Sequence, residues 1–326
     1  MASKLESEVE ADKAGHTTFG DGEFLVDEAA LADLRVVVTG GASGIGEACC
    51  RRLAAAGASV VIADKNVELG NALQAQLNRR RVKFIEVDVA SWDSQLAMFA
   101  EALNFLPGHD LDALITTAGI GSSSDLNITK PSGVSLHQRS VEERQALPRP
   151  STKCLDVNLI GTMYSVDIAT KYCMSIEAFG NAIGSSRKSV VLLGSTSGFR
   201  PLNGKIDYSV AKWGVRGYFR NIRQELAQHG IRVNMMAPFW VPTSLTQHHV
   251  PALEKQGVRV GRMEDVIDGI LRMLLDGQMS GRAVSVTGKG IEDIDDDLAG
   301  LDGGEAMRNL VRGGWLSAPK SATLRR

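Results

Sequence analysis

A chain of 326 residues is long enough for one large α/β domain with a sizeable core, or for two small ones. Its apolar share of 44% and charged share of 23% are ordinary for a globular protein, and a net charge of −2 gives no global attraction to nucleic acid or an acidic membrane. Its four cysteines, Cys49, Cys50, Cys154 and Cys173, show neither CxxC pairing nor a matching histidine spacing, which argues against a disulfide scaffold and a zinc site.

The first segment, "MASKLESEVEADKAGHTTFG", lacks the apolar stretch of a secretory signal, and no apolar run approaches about 18 residues. The expectation is a reduced, cytoplasmic protein without metal, in which residues 1–33 form a flexible extension. A regular alternation follows. "LRVVVTG" reads as a strand, "GIGEACCRRLAAAGA" as a helix, "SVVIAD" as a strand and "NVELGNALQAQLN" as a helix. "VKFIEVD" and "LDALITTAG" repeat the strand pattern around the helix "SWDSQLAMFAEAL". The Ser-, Pro- and charge-rich residues 121–150 suit a surface loop. A long helix is expected from Thr152 to Phe179, then "SVVLLGS", a helix through Tyr208, "IRVNMMAP", a helix over 263–275 and "RAVSVTG". Residues 288–326 read as a tail beyond the core.

Continuous apolar strands separated by helices imply a parallel sheet covered on both faces. The expected class is therefore α/β, a doubly wound Rossmann fold of about seven strands in one domain over 34–287.

"TGGASGIG", Thr39 to Gly46, follows the first strand and opens the first helix. Glycines at 40, 44 and 46 allow a sharp turn and let a pyrophosphate approach the free amides of a helix N-terminus. Asp64 ends the next strand, eighteen residues past Gly46, where a carboxylate accepts hydrogen bonds from a ribose; the bland alternative is a cap for the helix at Asn66. Asp88, ending the third strand, is either an adenine contact or a cap for the helix near Ser91.

The motif TGxxxGxG, an acid after strand two, TAG after strand four, Asn158 in "VNLIG", Ser195, and Tyr208 four residues before Lys212 together resemble the short-chain dehydrogenase/reductase family. The resemblance runs from about Leu34 to Val286. The 195–208 segment and "GIRVNMMAPFWVPTSL" further resemble a fungal secondary-metabolite branch typified by averantin-type alcohol dehydrogenases.

The resemblance implies an oxidoreductase interconverting a secondary alcohol and a ketone. Its implied catalytic residues are Ser195, Tyr208, Lys212 and Asn158. Its implied cofactor contacts are Gly40, Ser43, Gly44, Ile45, Gly46, Asp64, Asp88, Val89, Ala118, Gly119, Tyr208, Lys212, Pro238, Val241 and Thr243. Tyr208 and Lys212 share a helix face, so the ammonium is expected to lower the pKa of the phenol. Ser195 is placed to hold the substrate oxygen. Asn158 matches the residue that kinks its helix and holds a water on the lysine. Asp64 and the neutral Ser43 favour NAD over NADP, although Lys65 offers a competing positive charge.

Phe199, Phe239 and Trp240 read as substrate-pocket walls, with Leu202 balanced between wall and core. The expected partner is a hydrophobic, ring-containing small molecule; Arg200 is the one nearby candidate for an anion. In the resembled family the helices that bear Asn158 and Tyr208 pair across a two-fold axis, so the resemblance implies a homodimer or homotetramer. Adjacent His248 and His249 read as a solvated loop pair, and Ser209 as a surface residue. Three positions depart from the family pattern: "TTAG" at 116–119 replaces Asn-Asn-Ala-Gly, Phe239 replaces a glycine after Pro238, and "VTGKG" replaces Asp-Gly-Gly. The rival readings are a cyclisation or isomerisation on the same fold, and a dinucleotide-binding protein without turnover.

Overall fold

The structure, a computed structural model, describes residues 27–122, 133–175, 187–294 and 296. Eight strands form one sheet: β1 (Arg35–Thr39), β2 (Ser59–Asp64), β3 (Val82–Glu86), β4 (Ala113–Thr116), β5 (Ser189–Leu193), β6 (Arg232–Met236), β7 (Ala283–Thr287) and β8 (Gly290–Asp293). Their spatial order is 3-2-1-4-5-6-7-8, parallel except for β8 against β7. The long helices are α1 (Gly44–Ala55), α2 (Val67–Gln76), α3 (Trp92–Phe105), α6 (Ile206–Ala227) and α8 (Met263–Leu275). Two short ones are α4 (Val141–Gln145) and α7 (Val250–Lys255). Helix α5 runs through Lys153–Leu155, a π turn at Asp156–Ile160, Gly161–Ile168 and a second π turn at Ala169–Cys173.

Strand periodicity divides the core into two layers. Val36, Val38, Val60 and Ile62 face α1 and α8, burying Cys49, Leu53, Ile270 and Leu271. Val37, Val61, Leu114 and Val190 point the other way, onto Phe99, Val166, Val215 and Phe219. This is the doubly wound α/β fold expected from the alternation of apolar strands and helices. After β3 the chain crosses back to lay β4 beside β1, so a crevice opens at the C-terminal ends of β1 and β4, where such sheets bind ligands.

The structure shifts several expected boundaries. Leu31 is fully buried in the core within a 3-10 turn at Glu28–Leu31, so the fold begins before residue 34; residues 1–26 lie outside the described residues. Helix α5 ends at Cys173 rather than Phe179, because Met174 is extended and its amide returns to Ala169 O; residues 176–179 lie outside the described residues. Within the expected 121–150 loop, residues 133–150 carry a 3-10 turn and α4, each opened by a serine capping box, and are largely exposed. The expected tail re-enters the fold. "VTGKG" closes a two-residue hairpin turn between paired Thr287 and Gly290, which creates the eighth strand. Asp296 then sits buried between Arg216 and Arg220 of α6, at 2.6 and 2.7 Å.

Candidate active site

The glycine-rich turn sits at the crevice. Gly44 takes φ +54°, a left-handed conformation that side chains rarely adopt, and a Cβ on Gly46 would lie 2.2 Å from Gly40 O and 2.4 Å from Thr117 Oγ1. Ser43 precedes α1 without a side-chain cap, so the first-turn amides of α1 face the cleft uncapped by that hydroxyl. Thr117, standing where the family pattern has asparagine, donates to Thr39 O at 2.6 Å and so ties the turn to the end of β4. Thr116 Oγ1, by contrast, is buried with no hydrogen-bond partner among the described residues.

Asp64 does not cap the following helix. Asn66 does that, accepting from Leu69 N at 2.9 Å. The Asp64 carboxylate instead accepts from Ala42 N at 3.0 Å and Asn66 N at 2.9 Å, which fixes it beside the glycine turn. Asp88 is not a helix cap either, since Ser91 fills that place. Asp88 accepts from Lys65 Nζ at 2.5 Å, and this contact is the main reason its carboxyl lies below its ordinary range. A cleft of about 490 Å³ joins these groups and continues past Val89, Ala118 and Gly119 to Ser195, Tyr208 and Lys212, with Pro238, Val241 and Thr243 along its other wall.

Lys212 is only 5% exposed, and its Nζ makes a hydrogen bond of 2.8 Å to Leu193 O; burial lowers its pKa to about 8. A buried ammonium with capacity for three donors therefore lines the cleft on a single hydrogen bond among the described residues. Tyr208 behaves otherwise than expected. Burial pushes its phenol up, and the Ser195 hydroxyl works in the opposite direction. Lys212 Nζ stands 5.8 Å from the tyrosine ring centroid, committed to Leu193, and does not draw the phenol down. Ser195 Oγ accepts from Ser197 N at 3.1 Å, which leaves its own proton to donate elsewhere.

Asn158 is fully buried on the first π turn of α5, an irregularity that matches the expected kink. Its Oδ1 accepts from Ile120 N at 2.8 Å and its Nδ2 donates to Ile120 O at 2.9 Å. The side chain clamps the segment after β4, and this clamp, not an open amide, is what Asn158 presents. Ser209, expected at the surface, is buried and accepts from Leu202 N at 3.0 Å, holding the loop ahead of α6.

The profile of the family described as short chain dehydrogenase matches residues 35–254. The chain belongs to that family. It is an oxidoreductase of that family. A Dothistroma septosporum protein named 5'-hydroxyaverantin dehydrogenase is 32% identical, over 88% of this chain and 95% of its own length. A Phoma protein named NADP-dependent dehydrogenase M3 is 31% identical, over 89% and 87%. Among solved structures, 3-hydroxyacyl-CoA dehydrogenase type-2 from Mycobacterium avium superposes with a TM-score of 0.64 at 27% identity, covering 82% of this chain and 98% of that one. The likeness to the averantin-type fungal branch, first visible in the segments around Ser195 and Pro238, is thereby upheld.

This short chain dehydrogenase has a second cavity, of about 580 Å³, that shares Ser195 and Tyr208 with the first. The three expected wall residues, Phe199, Phe239 and Trp240, all line it, as does Leu202. Phe239 is held by its amide on Val286 O at 3.0 Å, and its 40%-exposed ring stands between the two cavities. Phe199 lies beneath Arg216, whose guanidinium carbon is 4.1 Å from the ring centroid.

Sequence reading missed part of this wall. His248 and His249 line the cavity instead of standing apart on a loop, with the His249 ring 5.3 Å from that of Trp240. Lys205 and Ile294 also reach it, and Arg200 joins them, so the wall is less purely apolar than expected. The position of Lys205, between Ser195 and Tyr208, was the one available signal; nothing local to Ile294 or the histidines marked them. Among the described residues, no helix is long and apolar enough to cross a membrane.

Phe239→Gly, which restores the common family residue, is expected to broaden the range of alcohols accepted, since the ring occupies space at the junction of the two cavities. An unchanged substrate panel would show that the ring does not limit the pocket.

Proposed function

We propose that this chain is an NAD-dependent dehydrogenase that interconverts a secondary alcohol and a ketone on a hydrophobic, ring-containing small molecule of secondary-metabolite type. The observation that carries the reading is the meeting of the two cavities at Ser195 and Tyr208. A cofactor in one and a substrate in the other would face each other across these two hydroxyls.

The cleft fits a nicotinamide dinucleotide in three respects: the glycine turn leaves room for a pyrophosphate, the α1 amides aim at it, and the under-bonded Lys212 waits deep in the cleft. Gly40, Ser43, Gly44, Ile45 and Gly46 would hold the pyrophosphate. Asp64 would hold the adenosine ribose, and Asp88 with Val89 the adenine. Ala118, Gly119, Lys212, Pro238, Val241 and Thr243 would hold the nicotinamide half. The nicotinamide supplies the hydride acceptor or donor. Ser195 donates its proton to the substrate oxygen, and Tyr208 takes the hydroxyl proton in oxidation and returns it in reduction. Lys212 carries a charge that favours the phenolate once its ammonium is drawn towards the nicotinamide ribose. Asn158 positions the floor of this site through Ile120.

Ile206, Val210 and Trp213 form an exposed apolar row along α6, which supports assembly through that helix into a homodimer or homotetramer. Turnover of a panel of hydrophobic secondary alcohols, followed by NADH absorbance, tests the redox reading; silence across the panel with cofactor bound would favour the cyclisation or binding alternatives.

NAD is favoured because the Asp64 carboxylate lies against the turn and repels a 2′-phosphate, while Lys65 is occupied by Asp88. The Phoma relative's name points to NADP, so the preference needs its own measurement. Wild type is expected to favour NAD by about tenfold or more in kcat/KM. Asp64→Ala should erode that preference, and adding Ser43→Arg should turn it towards NADP. Equal efficiency with NADPH and NADH in the unaltered protein would refute the assignment.

A further inference from the structure

The substrate cavity carries an uneven distribution of charge. Arg200 and Lys205 both line it, and its described lining contains no carboxylate. Neither side chain has an ion-pair or hydrogen-bond partner among the described residues. The neighbouring cations are treated differently: Arg216 and Arg220 close on the Asp296 carboxylate, and Arg223 donates to Asp296 O at 2.7 Å. The fold thus neutralises the arginines behind the cavity and leaves two cations in front unanswered. Beside them stand flat surfaces. Trp240 packs edge-on against His249, whose ring is 3.9 Å from that of His248, and Phe239 is 6.4 Å from Trp240.

We propose that this cavity takes an aromatic alcohol or ketone bearing an anionic oxygen group, a carboxylate or an ionised phenol, whose charge is met by Arg200 and Lys205 while its ring lies among Phe239, Trp240 and His249. The inference rests on the assignment of this cavity to substrate. The planar fork of Arg200 can meet a carboxylate with two parallel donors or a phenolate oxygen with converging ones, and Lys205 adds a point charge. Burial, the adjacent His248 and Lys205 all keep His249 below its ordinary range, so it meets the ring as a neutral imidazole at pH 7. The reacting carbon would sit at Ser195 and Tyr208. Arg200 is solvent-exposed, which places the anionic group towards the mouth, where it keeps part of its hydration.

The test uses two non-reacting probes on the protein saturated with its nicotinamide dinucleotide: 2-naphthoate and the isosteric neutral 2-naphthamide, titrated by calorimetry. Naphthoate should bind about tenfold more tightly than the amide at low salt, with the gap narrowing as salt rises. In Arg200→Gln/Lys205→Gln the ratio should fall to near one, while amide affinity stays within about twofold of wild type, which also reports an intact fold. Equal binding of both probes by wild type, or a preference that survives the double substitution, would overturn the proposal. Phenol-bearing and carboxylate-bearing secondary alcohols, compared with their methylated forms in turnover, then distinguish the two anion types. If anion preference holds but no secondary alcohol is turned over, the redox reading fails and the anion site stands. If alcohols are oxidised without regard to charge, the reverse is true.

Discussion

Tyr208→Phe is expected to lower kcat by about 10² to 10⁴ while leaving cofactor affinity nearly unchanged, because it deletes the proton-carrying oxygen and leaves in place the glycine turn, Asp64 and Lys212 that would hold the dinucleotide. The phenol belongs to both cavities and lies beside Ser195, where a substrate in one would meet a cofactor in the other. Burial, which raises the Tyr208 pKa, sets the direction of the pH dependence. Oxidation needs the phenolate, so its kcat should climb as the pH rises into the alkaline range. Reduction needs the phenol and should fall over the same range. Stopped-flow measurement in both directions checks this, and a variant that retained wild-type kcat would sink the mechanism.

Lys212→Met should have the second-largest effect, and it should separate function from stability. Cofactor affinity and kcat are both expected to fall steeply, since the buried ammonium has one hydrogen bond among the described residues and faces the cleft with the rest of its donors. The cofactor-free variant should nonetheless melt higher than wild type at pH 7. Folding lowers the Lys212 pKa from 10.5 to about 8, so the unfolded chain binds this proton more tightly. Below pH 8 the full penalty applies, on the order of 3 kcal/mol at this depth of burial; it fades as pH rises towards the unfolded value. The melting advantage of Lys212→Met should therefore be largest near pH 7 and shrink by pH 10. The loss of the Leu193 contact offsets part of it, by about 1 kcal/mol. A variant less stable than wild type at pH 7, with an unchanged pH dependence, would mean that burial of the lysine does not cost stability. Such a gain would identify Lys212 as a residue kept for function at the expense of stability.

The legible parts of this protein are those that depend on neighbours in sequence. The alternation of "RVVVT", "SVVIAD" and "SVVLL" with amphipathic helices specifies buried parallel strands, because an apolar strand with no polar face has to be covered on both sides. Glycines at 44 and 46 announce a turn that no side chain fits, and the four-residue spacing of Tyr208 and Lys212 places both on one face of α6. Order along the chain thus specified the fold class, the cleft and the residues expected at its two ends.

Contacts between distant segments were decided by the tertiary structure alone. Ile294 and the histidine pair reach the second cavity only because β8 folds back on β7 and the 241–250 loop crosses the crevice. Asp296 becomes the counter-ion of Arg216 and Arg220 because the hairpin at 288–289 aims the chain at α6, where an acidic stretch read in isolation looked like a solvated tail. Asn158 turned out to clamp Ile120, thirty-eight residues away. The Tyr208 phenol, expected to be lowered by the lysine four residues on, is instead raised: depth of burial outweighs a charge already engaged with Leu193, and depth is a property of the packed molecule that no spacing encodes.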